Sequence, residues 1–288
     1  MSTAAVAHPK VVSQKEWITA SKAFLAEEKA FTSQREALAA KRRELPWVKV
    51  DKNYTFIGPN GKVSLSDLFD GRSQLIVYHF MLGPDWKEGC PGCSFLADTF
   101  DGPIPHLNVR DVTFVAISRG PLPSIQTFQR RMGWRFPWFS SEGSDFNFDF
   151  GVSFTKEQRE SGSADYNFGT NVNVGEENPG ASVFFKNSAG EIFHTYSTYA
   201  RGLDQMIGAY NWFDIAPKGR DEANLGFPMA WVRHHDKYGT GYAVDPKVTC
   251  VDHETFEVTN SSSPNAFSPK LDVKAASENP GCCHDTHS

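Results

Sequence analysis

The sequence has no long apolar segment and no excess of positive charge. None of its runs approaches the roughly 18 apolar residues that a membrane-spanning helix needs, and residues 1–10 lack the apolar core of a secretory leader. Asp and Glu (34) outnumber Lys and Arg (29), which gives a formal net charge of -5. Binding to nucleic acid or to an anionic membrane needs a basic face. We therefore expect a cytoplasmic protein with neither kind of partner.

Cysteine is scarce as well, at 5 of 288 residues, which is too few for a disulfide framework in a chain of this length. Cys90 and Cys93 have the Cys-x-x-Cys spacing that in an intracellular protein is typical of redox or metal chemistry. A zinc site would need two more ligands. The candidates all lie near the C-terminus: Cys250, Cys282, Cys283 and His284. None of them forms a second Cys-x-x-Cys, so redox chemistry is favoured, and no metal or cofactor is predicted.

The N-terminal part is predicted to be a flexible segment (residues 1–12) followed by one amphipathic helix (residues 13–46). Ser13 and Glu16 have the spacing of a capping box, and Pro46 ends the helix. The apolar residues recur at helical spacings: Trp17, Ala20, Phe24, Phe31 and Leu38. Because a long helix outside the main fold often packs on another subunit, a homodimer through this helix is one hypothesis.

Residues 47–216 alternate between strand and helix patterns and predict an α/β domain with a parallel sheet. Residues 74–82 are almost continuously apolar, as in a central strand buried on both faces. The other predicted elements are a helix at 94–100, a strand at 112–117, a helix at 123–132, a strand at 136–139, an insertion at about 145–180, a hairpin at 181–185 and 191–196, and a helix at 203–212. A C-terminal extension (217–250) and a disordered tail (251–288) complete the chain.

The dithiol follows the central strand and begins a helix, which explains how it would react. With Cys90 as the N-cap, Pro91 occupies the first helical position, where its missing N–H costs nothing. The N–H groups of Gly92 and Cys93 would then point at the Cys90 sulfur and, with the helix dipole, lower the pKa of its thiol. Lys87 would add to this effect, whereas Glu88 would oppose it. We assign Cys90 as the attacking thiol and Cys93 as the resolving thiol.

Motifs spread over roughly residues 15–240 carry a specific resemblance. They are Gly58-Pro59, Asp67-Leu68-Phe69-x-Gly71-Arg72, VYHFML with Pro84 and Trp86, GCPGCSF-x-AD, Ser118-Arg119-x-Pro121, Arg131-Met132-Gly133-Trp134, Ser140-Ser141, Asp145-Phe146-Asn147, His194-Thr195-Tyr196 and Arg233-x-His235-Asp236-x-Tyr238. In these the chain resembles the DUF899 family. The resemblance implies a thioredoxin-like fold, with a peroxiredoxin-type order of elements, and a dithiol-disulfide oxidoreductase activity that is itself inferred from the fold.

The thioredoxin-like resemblance also implies a proline before the strand that faces the dithiol. Pro179 is the candidate, either as a cis-proline or as an ordinary loop proline. Peroxiredoxins instead carry Pro-x-x-x-Thr-x-x-Cys. Counted back from Cys90 the two motif positions are Lys87 and Gly83, and counted back from Cys93 they are Cys90 and Trp86. Neither register fits, so a thiol peroxidase is the alternative rather than the leading function.

Other polar residues have competing interpretations. Arg119 follows a predicted strand at the sheet edge that binds ligands in α/β proteins, so it either supports the thiolate or an anionic substrate, or anchors a loop. Together with Trp86, Lys87 and Pro179 it is a predicted supporting residue. His79 and His194 are expected in the core, although His194 could also face the cleft. His234-His235-Asp236 suggests a metal site, but adjacent side chains point in different directions.

Two further features leave alternatives open. The aromatic stretch over residues 134–150 either packs in the core or forms a pocket wall. Cys282-Cys283-His284 with His287 is an electron shuttle to the dithiol, a soft-metal site or a tail without a role. The leading prediction is a dithiol-disulfide oxidoreductase acting on a disulfide or small-molecule substrate, with an unidentified thiol as electron donor. The alternatives are a thiol peroxidase and a non-redox small-molecule binding or pathway protein.

Overall fold

The computed structural model describes residues 9–169 and 174–239. The interpretations of Cys250, Cys282, Cys283, His284 and His287, and of the tail at 251–288, concern residues outside this part of the chain.

Eight strands in the described residues form one sheet. They are β1 (Val48–Lys49), β2 (Thr55–Gly58), β3 (Gly61–Ser64), β4 (Gln74–His79), β5 (Val112–Ser118), β6 (Trp138–Ser140), β7 (Gly180–Lys186) and β8 (Ile192–Tyr199), in the spatial order β1-β8-β7-β4-β5-β6-β2-β3. β4, β5 and β6 are parallel, whereas β7 is antiparallel to β4 and pairs with β8 as a hairpin. A βαβ unit joined to a β-hairpin in one sheet is the predicted thioredoxin-like arrangement, which is confirmed.

β4 lies in the interior of the sheet, and apolar layers cover both of its faces. Leu75 and Val77 pack into the cluster on one face, while Tyr78 belongs to the cluster that contains the dithiol helix. The strand pairs with β5 on one side and β7 on the other, so that Tyr78 lies opposite Ala116 and Ala181. A continuous apolar run is required by this two-sided burial. After β4 the chain leaves the sheet and continues to the dithiol at the start of α2.

The helices include seven α-helices in the described residues. They are α1 (Gln14–Arg43), α2 (Pro91–Ala97), α3 (Ile104–Val109), α4 (Leu122–Arg131), α5 (Phe146–Asp149), α6 (Lys156–Glu160) and α7 (Gly208–Phe213), with 3-10 helices at Asp67–Phe69, Ala200–Met206 and His235–Lys237. The helix predicted at 203–212 is wrong as one element, because Ile207 is extended (φ -81°, ψ 99°) and separates a 3-10 helix from α7. α3 was not predicted, and α5 and α6 lie in the predicted insertion.

α1 begins as predicted, with Ser13 and Glu16 forming a reciprocal capping box. None of its residues is buried, and Trp17 and Phe31 remain 56% and 65% exposed. The homodimer through this helix therefore stays a prediction. Of the helices in the described part of the chain, none is both long enough and apolar enough to cross a membrane.

The described part of the C-terminal extension folds back over the dithiol helix, α2. Residues 222–237, which we call the strap, contribute Ala230, Val232 and His234 to the interior, each at most 2% exposed. Trp231 packs edge-on against Phe95 of α2 (ring centroids 5.3 Å apart). The strap is thus part of the structure that surrounds the dithiol.

Candidate functional site

The dithiol is held where the chain passes from β4 into α2. The Cys90 N–H donates to the Met81 carbonyl (3.0 Å), which fixes the start of the helix against the end of the strand segment. Gly89 must lack a side chain, because a Cβ there would lie 2.6 Å from the Phe80 ring and 2.5 Å from the Phe128 ring. Close packing around Gly89 therefore sets the position of the next residue, Cys90.

Cys90 is the N-cap of α2, as predicted, and Pro91 lies in the first turn. The Cys93 thiol and the backbone N–H groups of Cys93 and Gly92 interact with its Sγ, although Sγ makes no capping hydrogen bond to the helix N-terminus. These interactions favour the thiolate and lower the pKa of Cys90 below its ordinary value, although burial acts in the opposite direction.

Cys93 has the opposite electrostatic environment. Burial and the adjacent Cys90 raise its pKa well above the ordinary thiol value. Its Sγ also interacts with the Met81 N–H (3.5 Å) and with the Tyr78 hydroxyl. These opposite shifts favour ionisation of Cys90 before Cys93. Tyr78 was not predicted as a site residue, although its position in β4, on the face of the α2 layer, was a signal that could have identified it.

A cavity of about 400 Å³ opens directly onto the two sulfurs. Its lining comes from five parts of the chain: Tyr78; Cys90, Pro91, Gly92, Cys93 and Leu96; Pro179; Ala200, Leu203, Asp204 and Ile207; and Phe227, Pro228, Met229 and Val232 of the strap. Pro179 thus lies at the dithiol, as the resemblance implied. The peptide bond before it is trans, so of the two interpretations that of a cis-proline is wrong.

The strap covers the helix-capping turn and was not anticipated from the sequence. A Cβ added to Gly92 would lie 3.3 Å from Met229 Cε and 3.7 Å from Cys90 Sγ, so the methionine side chain lies against the dithiol turn. Met229 has a φ of +71°, which a non-glycine residue adopts only where its surroundings hold it. Its N–H donates to Glu222 Oε1 (3.0 Å). Long-range contacts of this kind leave no periodic pattern in the sequence.

Three of the predicted supporting residues lie outside the cavity lining. Lys87 is exposed, and Trp86 packs its ring over Gly83, at the edge of the core cluster of α2. Arg119 forms an ion pair with the buried Glu177 (Nη1 to Oε1, 2.7 Å) and lies over the Phe148 ring. The structure therefore shows Arg119 as the anchor of a loop, which was the second of its two predicted roles.

The histidines are separated in space. His234 is buried and its Nε2 lies 2.7 Å from the Gly89 carbonyl oxygen, whereas the half-exposed His235 contacts Asp98 Oδ1 at 2.7 Å. The two rings point to different partners, as expected for adjacent residues. His79 is buried in the core and its Nε2 lies 2.8 Å from Ser182 Oγ. His194 lines a separate cavity beside Phe168 and Tyr199. Among residues 9–169 and 174–239, no three metal-binding side chains converge.

Comparison with known proteins identifies the family. The family model described as "Bacterial protein of unknown function (DUF899)" matches residues 6–238, so the chain belongs to this family. A comparison with curated proteins finds no match.

Several solved structures are similar over part of the chain. Peroxidoxin BcpB from Mycobacterium tuberculosis is 14% identical, covering 57% of this chain and 94% of its own, with a TM-score of 0.38. A putative thiol:disulfide interchange protein DsbE from Chlorobium tepidum is 13% identical, covering 57% and 97%, with a TM-score of 0.36. A putative protein disulfide isomerase from Bacteroides thetaiotaomicron is 16% identical, covering 58% and 91%, with a TM-score of 0.33.

Proposed function

We propose that this DUF899 protein is a dithiol-disulfide oxidoreductase in which Cys90 attacks and Cys93 resolves. The observation that supports the proposal is the opposite perturbation of two adjacent thiols, with the pKa of Cys90 lowered by hydrogen bonds and that of Cys93 raised by burial. A thiolate is the nucleophile in disulfide exchange. An asymmetric pair therefore has one thiol ready to attack and one that holds its proton until the second step.

The reaction then proceeds by two exchanges. The Cys90 thiolate attacks one sulfur of a substrate disulfide, its S–S bond breaks, and one half leaves as a thiolate. Attack leaves Cys90 Sγ without its charge, so Cys93 no longer stabilises it and can transfer its proton to the leaving thiolate. The Cys93 thiolate next attacks Cys90 Sγ, forms the Cys90–Cys93 disulfide and releases the second half. Two electrons pass from the dithiol to the substrate, and an external thiol must return them.

Trapping of the mixed disulfide tests this assignment. Reduced Cys93→Ser protein is mixed with the uncharged disulfide 2,2′-dithiodipyridine, and the adduct is located by peptide mass spectrometry, which separates Cys90 from the cysteines near the C-terminus. We expect a stable adduct on Cys90 in this variant, and an internal disulfide with no retained adduct in the wild type. In the matched Cys90→Ser variant, the buried Cys93 should react at least about 100-fold more slowly because its pKa is high.

Equal labelling of Cys90 in Cys93→Ser and of Cys93 in Cys90→Ser would contradict the assignment. Stopped-flow mixing with hydrogen peroxide separates the peroxidase alternative from the proposal. Disulfide exchange predicts oxidation of Cys90 by peroxide no faster than expected for a free thiol with the same thiolate fraction.

A further inference from the structure

The two sulfurs open into a partly enclosed cavity rather than onto a flat surface. Cys90 is 8% exposed and Cys93 is 2% exposed. Residues of the dithiol helix line the cavity together with Tyr78, Leu203 and Ile207. Phe227 and Met229 of the strap also line it. A substrate sulfur must therefore enter a space of about 400 Å³ to reach Cys90.

The strap is fixed to the body at both ends. Near its start, Glu222 Oε1 accepts hydrogen bonds from the Tyr210 hydroxyl (2.8 Å), the Met229 N–H (3.0 Å) and the Trp231 indole N–H (2.7 Å). Near its end, buried His234 donates to the Gly89 carbonyl (2.7 Å), directly before Cys90. With the strap in this place, a substrate meets the cavity and not an open helix end.

The walls of the cavity are mostly apolar and offer no cation to an acidic substrate. Among the described residues that line it, Asp204 is the one charged side chain apart from the dithiol. Its Oδ2 is already paired with Arg201 (2.7 Å) and Arg220 (3.2 Å). A substrate carboxylate brought into such a cavity would lose its hydration without an ion pair in return. An uncharged, apolar substituent has no such cost of dehydration, and its burial in an apolar cavity is favourable.

We propose that the substrate of the dithiol is a small, uncharged disulfide with apolar substituents. This inference rests on the proposed function and adds the substrate class to it. Cys90 attacks one sulfur of the dialkyl disulfide within the cavity. Two molecules of apolar thiol are released as the Cys90–Cys93 disulfide forms. The disulfide of a folded protein and that of an acidic peptide are both excluded by the strap and by the lack of a cation.

The test compares three oxidants on the reduced full-length protein: diethyl disulfide, glutathione disulfide and insulin. Quenched alkylation and peptide mass spectrometry follow the conversion of Cys90 and Cys93 to their disulfide. Each rate is divided by the rate of the same oxidant with dithiothreitol, which removes differences in intrinsic reactivity. We expect this ratio for diethyl disulfide to exceed the ratios for glutathione disulfide and insulin by about tenfold or more. A difference of this size is what one favourable contact made by only one of the substrates produces.

Two glycine variants test whether the strap causes the selectivity. Met229→Gly removes the side chain over Gly92 at a φ that suits glycine (+71°), and it should raise the glutathione disulfide ratio at least about fivefold. Phe168→Gly is the matched control. It also replaces an apolar residue at positive φ (+59°), but it lies outside the lining of the dithiol cavity and should leave all three ratios unchanged.

Two results would overturn the inference while leaving the proposed function in place. One is a wild-type ratio for glutathione disulfide or insulin that equals or exceeds that for diethyl disulfide. The other is a selectivity that Met229→Gly leaves unaltered. If none of the three oxidants forms the Cys90–Cys93 disulfide, and 2,2′-dithiodipyridine does not form it either, the proposed function fails together with the inference.

Discussion

His234 and His235 are neighbours in the chain but have different surroundings, and their replacement by alanine measures how firmly the strap is attached. His234 is 1% exposed and donates from Nε2 to the buried Gly89 carbonyl (2.7 Å). Its ring also packs edge-on to Phe128, with centroids 5.1 Å apart. His235 is 43% exposed at its side chain and contacts Asp98, which also accepts a hydrogen bond from Trp134 (2.8 Å).

The expected magnitudes follow from these contacts. Removing His234 leaves a buried carbonyl without its donor, at about 1–3 kcal/mol, and deletes an aromatic contact of about 0.5–1.5 kcal/mol. We therefore expect His234→Ala to lower the free energy of unfolding by about 2–4 kcal/mol. His235→Ala removes one surface hydrogen bond and should cost less than about 1 kcal/mol, since Asp98 keeps its bond to Trp134.

Urea unfolding of the two variants and the wild type gives both values in one experiment. Labelling of Cys90 by 5,5′-dithiobis(2-nitrobenzoic acid) provides a second measurement, because loss of the anchor before Cys90 should speed access in His234→Ala and not in His235→Ala. Equal effects of the two substitutions on stability, or a cost below about 0.5 kcal/mol for His234→Ala, would refute the view that the strap is anchored through this ring.

Three further substitutions have defined outcomes. Glu222→Gln replaces a carboxylate that accepts three hydrogen bonds; it should cost about 1–3 kcal/mol in urea unfolding and speed the labelling of Cys90. Tyr78→Phe removes the hydroxyl bonded to Cys93; closure of the internal disulfide from the mixed disulfide should slow about fivefold to tenfold, while iodoacetamide labelling of Cys90 should change less than about twofold. Burial lowers the pKa of His79 to about 3. As the pH falls below about 6.5, the unfolded chain therefore binds a proton at this histidine that the folded chain does not bind. The corresponding part of the free energy of unfolding is complete above this pH and is lost toward pH 3, at up to about 1.4 kcal/mol per pH unit. His79→Asn should lack this contribution when unfolding is compared at pH 7 and pH 5.

The features that the sequence predicted correctly are those determined by residues near one another in the chain. The apolar run of β4 reflects its burial on both faces, and the start of α2 at Cys90 follows from Pro91 in its first turn. The hairpin of β7 and β8 follows from alternation around a turn. Local patterns of this kind constrain backbone geometry directly, so the fold and the position of the dithiol could be derived from them.

The features that were missed depend on contacts between distant residues. His234 meets Gly89 across 145 positions of the chain, and no spacing rule relates the two. Arg119 lies at a strand end, a position that suggests a ligand site, but its actual partner is Glu177. The strap has little secondary structure, so its role as a wall of the cavity could be seen only in three dimensions.

The central claim is that the two thiols of one pair are driven apart in pKa. The most direct test is the pH dependence of iodoacetamide labelling, with Cys90 followed in the wild type and Cys93 followed in Cys90→Ser, both by peptide mass spectrometry. The account predicts that the rate at Cys90 reaches half its maximum below the free-thiol value of about 8.5, and that the rate at Cys93 does so well above it. A Cys90 midpoint at or above the free-thiol value, or a Cys93 midpoint below that of Cys90, would contradict it.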